Sequence, residues 1–246
     1  MKNTHKYLYI LLITGLIALW QFLSLGRQTL IFPSPYEVLL SIVSIIRSAV
    51  FLSTVFNTLK SVLLSFGAAF IPALLLGIAS NFIPFLYSVM EHISGIIRSV
   101  PTVAIILIVL LLLPVSFTPV VICFFVVFPV LYTNVAEGLS GVDRGLLEMA
   151  SIYRVHKGKI IRDIYIPSLR NFLIAGSRSA LGLSFKIIVT AEVFHFANHN
   201  SIGAQMYMHK IQIDLAGIIA WTIVVVAVSL FFDFLLRKLF ERGRVQ

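Results

Sequence analysis

The residues with the clearest chemical potential lie where an otherwise apolar chain should not carry them. His195 and His199 stand four apart, the spacing at which a helix presents two imidazoles to one metal ion, and Glu192 lies just before them. Arg98, which precedes Pro101, and Arg178 and Lys186 fall inside long apolar runs. A cation there marks a path for an anion, an internal pair such as Lys186 with Glu192, or a side chain reaching for the interface. Ser177, Ser179, Ser184 and Thr190 add hydroxyls that either line a path or let helices pack closely. No third metal-ligand pattern accompanies the two histidines, and the neighbouring asparagines read as a loop at the outer membrane face. A membrane-embedded enzyme built on His195, His199 and Glu192 would need a nucleophile or metal constellation that the sequence does not contain. A scaffolding membrane subunit without a path is a third reading.

What must position these groups follows from composition. Of 246 residues, 59% are hydrophobic and 12% charged, too few charges to cover a soluble surface, so lipid is the expected solvent. The net charge of +9 does not point to nucleic acid, because the basic residues gather at the ends of apolar runs. The single cysteine, Cys123, sits within "PVVICFFVVFPVLY" and is expected to be a buried, inert thiol. The start of the chain resembles a secretory signal, but its apolar run from Tyr7 to Leu25 is too long and lacks a cleavage site, and it reads as a membrane span.

A crossing helix needs roughly 20 mainly apolar residues. Six segments qualify: Tyr7 to Leu25, Asn57 to Ala79, Tyr87 to Leu113, Pro119 to Val135, Asn171 to Val193 and Ala216 to Leu239. Pro101 should kink the third span or divide it at Val100, and Pro72 should bend the second. Between the first two, "IFPSPYEVLLSIVSII" is either an interfacial helix on the outer face or a plain connector.

Lys and Arg outside the spans are asymmetric. Lys2, Lys6, Arg144, Arg154, Lys157, Lys159, Arg162, Arg170, Arg237, Lys238, Arg242 and Arg244 fall on one side; Arg27, Arg47 and Lys210 fall on the other. Cytoplasmic loops are enriched in these residues, so both termini and the stretch from Gly141 to Arg170 are expected in the cytoplasm. That stretch reads as two short helices. Asp143 caps the first, with Leu146, Leu147 and Ala150 on one side and Glu148 turned away, and Pro167 ends the second where a membrane span begins. A helix with an apolar ridge and a charged flank is suited to a groove on a soluble partner, whereas a solvated connector would need no ridge.

"EMASIYRVHKGKIIRDIYIP" resembles the EAA loop of ATP-binding-cassette importer permeases, whose pattern is Glu-Ala-Ala, three residues, Gly, nine residues, then Ile-x-Leu-Pro. Glu148, Ala150, Ile164 and Pro167 match it. Met149 replaces the first Ala, Ile166 the Leu, and Arg154 the Gly, which places Arg where the family's turn uses a residue that tolerates positive φ. The resemblance runs along nearly the whole chain: "IFPSPYEVL", "NTLKSVLLSFGAAFIPALLLG", "IIRSVPTVAIILIVLLLL", "FFVVFPVLYTNVAEGLSGVDRGLLEMA" and "VTAEVFHFANHNSIG" are similar, in order, to segments of the nitrate, sulfonate and taurine branch.

The resemblance implies an all-α membrane protein, a single permease domain over 1–246 with the type I importer fold, about six membrane helices and cytoplasmic coupling helices near 141–170. It also implies a homodimer in the bacterial cytoplasmic membrane, two cytoplasmic ATPase subunits and an extracytoplasmic substrate-binding protein. Glu148, Met149, Ala150, Arg154, Ile164 and Pro167 would then form the ATPase-coupling region, and Arg98, Pro101, Arg178, Ser179, Lys186 and Glu192 the path or gate. No cofactor or metal is expected on this chain; ATP and Mg would bind the ATPase. The absence of a G-x-x-x-x-G-K-[ST] loop agrees with this, since "HKGKII" lacks the upstream Gly and the Ser or Thr. A small anion, sulfonate-, taurine- or nitrate-like, is the expected solute. Lys186 stands where the branch often has Trp, and a thiamine-precursor pyrimidine is the alternative.

Overall fold

The computed structural model describes residues 2–25, 32–114, 117–194 and 200–242. Among these the chain is helical: α1 (Lys2–Leu25), α2 (Pro35–Arg47), α3 (Phe51–Phe82), α4 (Pro84–Ser99), α5 (Thr102–Leu112), α6 (Thr118–Ser140), α7 (Arg144–Ile152), α8 (Lys157–Ile160), α9 (Ile166–Phe194), α10 (Ile202–Ile211) and α11 (Leu215–Arg242). A π-helical turn, Ile161–Tyr165, joins α8 to α9.

Helices α3, α6, α11 and the joined stretch Lys157–Phe194 are long and apolar enough to cross a membrane, and α4 with α5 makes a fifth, bent span. α1 adds a further helix whose described apolar run is Leu11–Ser24. The third expected span is divided where the sequence places the break. Ser99 ends α4, Thr102 starts α5, and the two axes meet at 94° around Val100 and Pro101, because Pro has no N–H and restricts the residue before it to extended geometry. The segment after the first span is a helix. Ser34 accepts from the Glu37 backbone N–H and the Glu37 carboxylate accepts from Ser34 N–H, a capping box with Pro35 at the first helical position.

The centre is formed by α3, α6 and α9, which pack against one another more extensively than any other set. Large apolar residues elsewhere face outward, with Leu111 87% exposed, which only a hydrocarbon solvent makes reasonable. In lipid, helix association depends on close packing, since tails are as apolar as leucine. The buried stripe of α3 accordingly carries small residues, among them Thr58, Ser65, Ala69, Ala73 and Gly77. At Gly77 the helices come so close that a Cβ would lie 2.7 Å from Val135 Cβ on α6.

Pro167 does not end a helix, contrary to the sequence expectation; helix runs unbroken from Lys157 to Phe194. The π-turn is the physical reason. Ile166 N–H reaches back five residues to the Ile161 carbonyl, shifting the ladder just before the residue that cannot donate.

Candidate functional site

Two regions concentrate the polar residues that the sequence singles out: the turn around α7 and the seam between α9 and α11. At the turn, Asp143 caps α7 by accepting from Gly145 N–H at 2.8 Å. The far end closes in a Schellman motif, with Val155 N–H donating to the Ala150 carbonyl (2.9 Å) and Arg154 N–H to the Ser151 carbonyl (3.0 Å). This motif requires a left-handed residue, and Arg154 takes it at φ 49°. The turn geometry that the sequence placed in question is thus present, with Arg in a place that favours Gly.

Ala150 is not on the outer side of α7. It is buried within the chain, and the exposed apolar ridge consists of Leu146, Met149, Ile152 and Tyr153, the last two 78% and 77% exposed. Glu148 is exposed beside this ridge, while Ile164 and Pro167 lie on the joined helix, Ile164 half-buried and Pro167 exposed.

At the seam, Arg178 is held by Asp233 of α11 in a two-point ion pair: Nε donates to Oδ1 at 2.6 Å and Nη2 to Oδ2 at 2.7 Å. Two turns along α9, Lys186 lines an open groove of about 360 Å³ between α9 and α11, with Thr190, Thr222 and Ser229 supplying hydroxyl side chains. Lys186 has no ion-pair partner among the described residues. Ser179 is exposed on α9.

The pairing of Lys186 with Glu192 does not form. Glu192 is buried at 5% exposure and accepts from Thr58 Oγ1 (3.0 Å) and Gly203 N–H (3.1 Å); Thr58 Oγ1 in turn accepts from Ile202 N–H at 2.9 Å. Glu192 therefore fastens the start of α10 to α3 and α9. Only Gly fits at 203, since a Cβ would lie 2.7 Å from Val193 N and meet Glu192 Cβ closer still. Arg98, at the end of α4, donates to the Ser94 carbonyl and to Thr133 Oγ1 (3.1 Å), tying the elbow at Pro101 to α6. His195 and His199 lie outside the described residues, among which no cluster of three metal-ligating side chains occurs.

Residues 73–245, spanning both regions, match the family described as binding-protein-dependent transport system inner membrane component. The chain belongs to this family. The permease is 23% identical over 222 residues to a probable ABC transporter permease protein of Brucella melitensis, covering 89% of this chain and 88% of that one. It is 25% identical over 192 residues to the nitrate import permease protein of Synechocystis, covering 74% and 69%. Over 67 residues it is 31% identical to a bicarbonate transport system permease protein of Synechococcus elongatus, covering 27% and 24%. A solved amino acid ABC transporter with histidines shares the fold at TM-score 0.66 and 18% identity, covering 78% of the permease and 94% of that chain. The permease is thus a multi-pass transport subunit and no enzyme.

Sequence reasoning missed Asp233, although an acid inside the apolar run "LFFDFLL" carries the same signal that drew attention to Arg178. It also missed Thr58 and Gly203, whose link to Glu192 depends on tertiary contact.

Proposed function

We propose that the permease is the membrane subunit of an ATP-driven importer for a small anionic nutrient, nitrate-, sulfonate- or taurine-like, and that a cytoplasmic ATPase subunit docks on α7. The ridge of Leu146, Met149, Ile152 and Tyr153 carries the docking reading. It stands exposed on a helix fixed at both ends, with Arg144, Glu148, Arg154 and Lys157 around it, a charged setting that suits the surface of a soluble protein better than hydrocarbon. Two permeases, two ATPase subunits holding ATP and Mg, and an extracytoplasmic binding protein complete the assembly, with both termini on the ATPase side.

Alternating access follows from continuity. Movement of α7 reaches the helix Lys157–Phe194, which starts five residues beyond α7 and carries both Arg178 and Lys186. A lever of this kind acts on discrete helix packings, so a small displacement at the ATPase switches the seam between inward- and outward-open arrangements. Lys186 supports an anion: an ammonium with no counter-ion among the described residues, beside hydroxyls at membrane depth, has a use for an anion and none for a neutral pyrimidine. The nitrate and bicarbonate permeases among its relatives carry small anions by name.

The docking reading is tested on the complex that co-purifies with its ATPase subunits, reconstituted in lipid nanodiscs. Replacing Ile152 with Asp at the ridge is expected to weaken ATPase association roughly tenfold and to abolish stimulation of hydrolysis by loaded binding protein. Full stimulation in a variant carrying Asp at both 149 and 152 would refute docking through this ridge.

A further inference from the structure

Arg178, Gly182, Lys186 and Thr190 recur every four residues of α9 and so form one stripe. The last three line the groove, and Arg178 stands one turn beyond Gly182. α11 answers in antiparallel order: Thr222 and Ser229 line the groove, and Asp233 stands one turn beyond Ser229. The groove therefore holds a cation with no ion-pair partner among the described residues and ends, about 12 Å further along the axis, on an ion pair.

We propose that Arg178 is a second anion-binding residue of this groove and that Asp233 is its resident counter-ion, displaced when a permeating anion moves on from Lys186. The proposal rests on the anion-import reading above and deepens it. Three observations carry it. The Arg178 fork grips both carboxylate oxygens of Asp233, and nitrate or a sulfonate presents the same pair of oxygens to a guanidinium. The side chains of Arg178 and Asp233 are 38% and 40% exposed, so the pair is not enclosed by the helix packing and an incoming ion can reach it. Arg237 lies one turn further along α11, close enough for its positive charge to favour the Asp233 carboxylate.

The test uses the ATPase-containing complex in nanodiscs with a reporter cysteine, Ser229→Cys; Cys123, the one native cysteine of the chain, is buried. Labelling of the permease chain by a neutral thiol reagent is followed by mass while nitrate or methanesulfonate is titrated in, and the anion concentration that halves the rate is read. We expect K186Q to raise that concentration roughly tenfold, R178Q to raise it severalfold with R178K partly restoring it, and D233N to lower it severalfold. R178Q/D233N should match R178Q, because Asp233 acts only through Arg178; D233S carries the same expectation if D233N fails to assemble. Protection weakened by K186Q but unchanged by R178Q and by either Asp233 variant would overturn the exchange while leaving the anion reading intact. Protection by neither anion, or no effect of K186Q, would overturn the anion reading and the proposal with it.

Discussion

At the scale of single residues, Arg154 is the clearest case of a sequence departure that leaves geometry unchanged. The backbone at φ 49° is set by two hydrogen bonds that close α7, and an L-residue with a Cβ pays about 1 kcal/mol or more for that conformation. Arg154→Gly is therefore expected to stabilise the purified permease by about 1 kcal/mol, seen as a higher unfolding midpoint in detergent, with ATPase coupling retained. A lower midpoint would mean that the guanidinium contributes more than the strain costs. The position of this turn was legible because the spacing from Glu148 to Pro167 is a local pattern. Which side of α7 faces inward was not, since the sequence places Leu146, Leu147 and Ala150 on one side whereas Leu146 is exposed and Ala150 buried. Glu192 shows the same limit more sharply. Its partner Thr58 lies 134 positions away, and nothing local to "VTAEVF" distinguishes a carboxylate that caps a neighbouring helix from one that lines a path.

At the scale of elements, the breaks were easier to read than the continuities. Pro101 divides its span because Val100 N–H closes α4 on the Ile97 carbonyl and the chain turns extended at Val100 and Pro101, whereas the helix passes Pro167 because a π-turn shifts the ladder one residue early. Both prolines look alike in sequence. Packing between elements rests on absence of side chain: α3 approaches α6 at Gly77, where Val135 occupies the volume a Cβ would need. Gly77→Ala should force the two helices apart and cost roughly 1 to 3 kcal/mol, measured as a lower unfolding midpoint, since overpacking a close helix contact displaces backbone. Gly67, on the same helix with no atom within 4 Å of its Cβ direction, is the control: Gly67→Ala should be neutral or mildly stabilising through helix propensity. Equal effects at the two positions would rule out close approach as the cause.

At the scale of the whole molecule, orientation decides whether the proposed lever can work. The helix Lys157–Phe194 has 38 residues and is about 57 Å long, well beyond the ~30 Å hydrocarbon core, so its two ends must emerge on opposite faces. α7 adjoins the first end, and α10 with the turn at Ile213 follows the second. Cations gather at the first end, in Arg144, Arg154, Lys157, Lys159 and Arg162, and the positive-inside bias predicts α7 on the cytoplasmic side and the α10–α11 turn outside, as the proposed function requires. Ile152 and Ile211 are 78% and 60% exposed and report the two faces, with Cys123 buried and silent. On intact spheroplasts a membrane-impermeant maleimide should label Ile211→Cys fully and Ile152→Cys only after permeabilisation. The reverse pattern would place the α7 ridge away from any cytoplasmic ATPase and sink the docking reading. It would leave the Lys186 groove and the Arg178–Asp233 pair untouched, because their chemistry depends on the α9–α11 seam and not on which face of the membrane it opens toward.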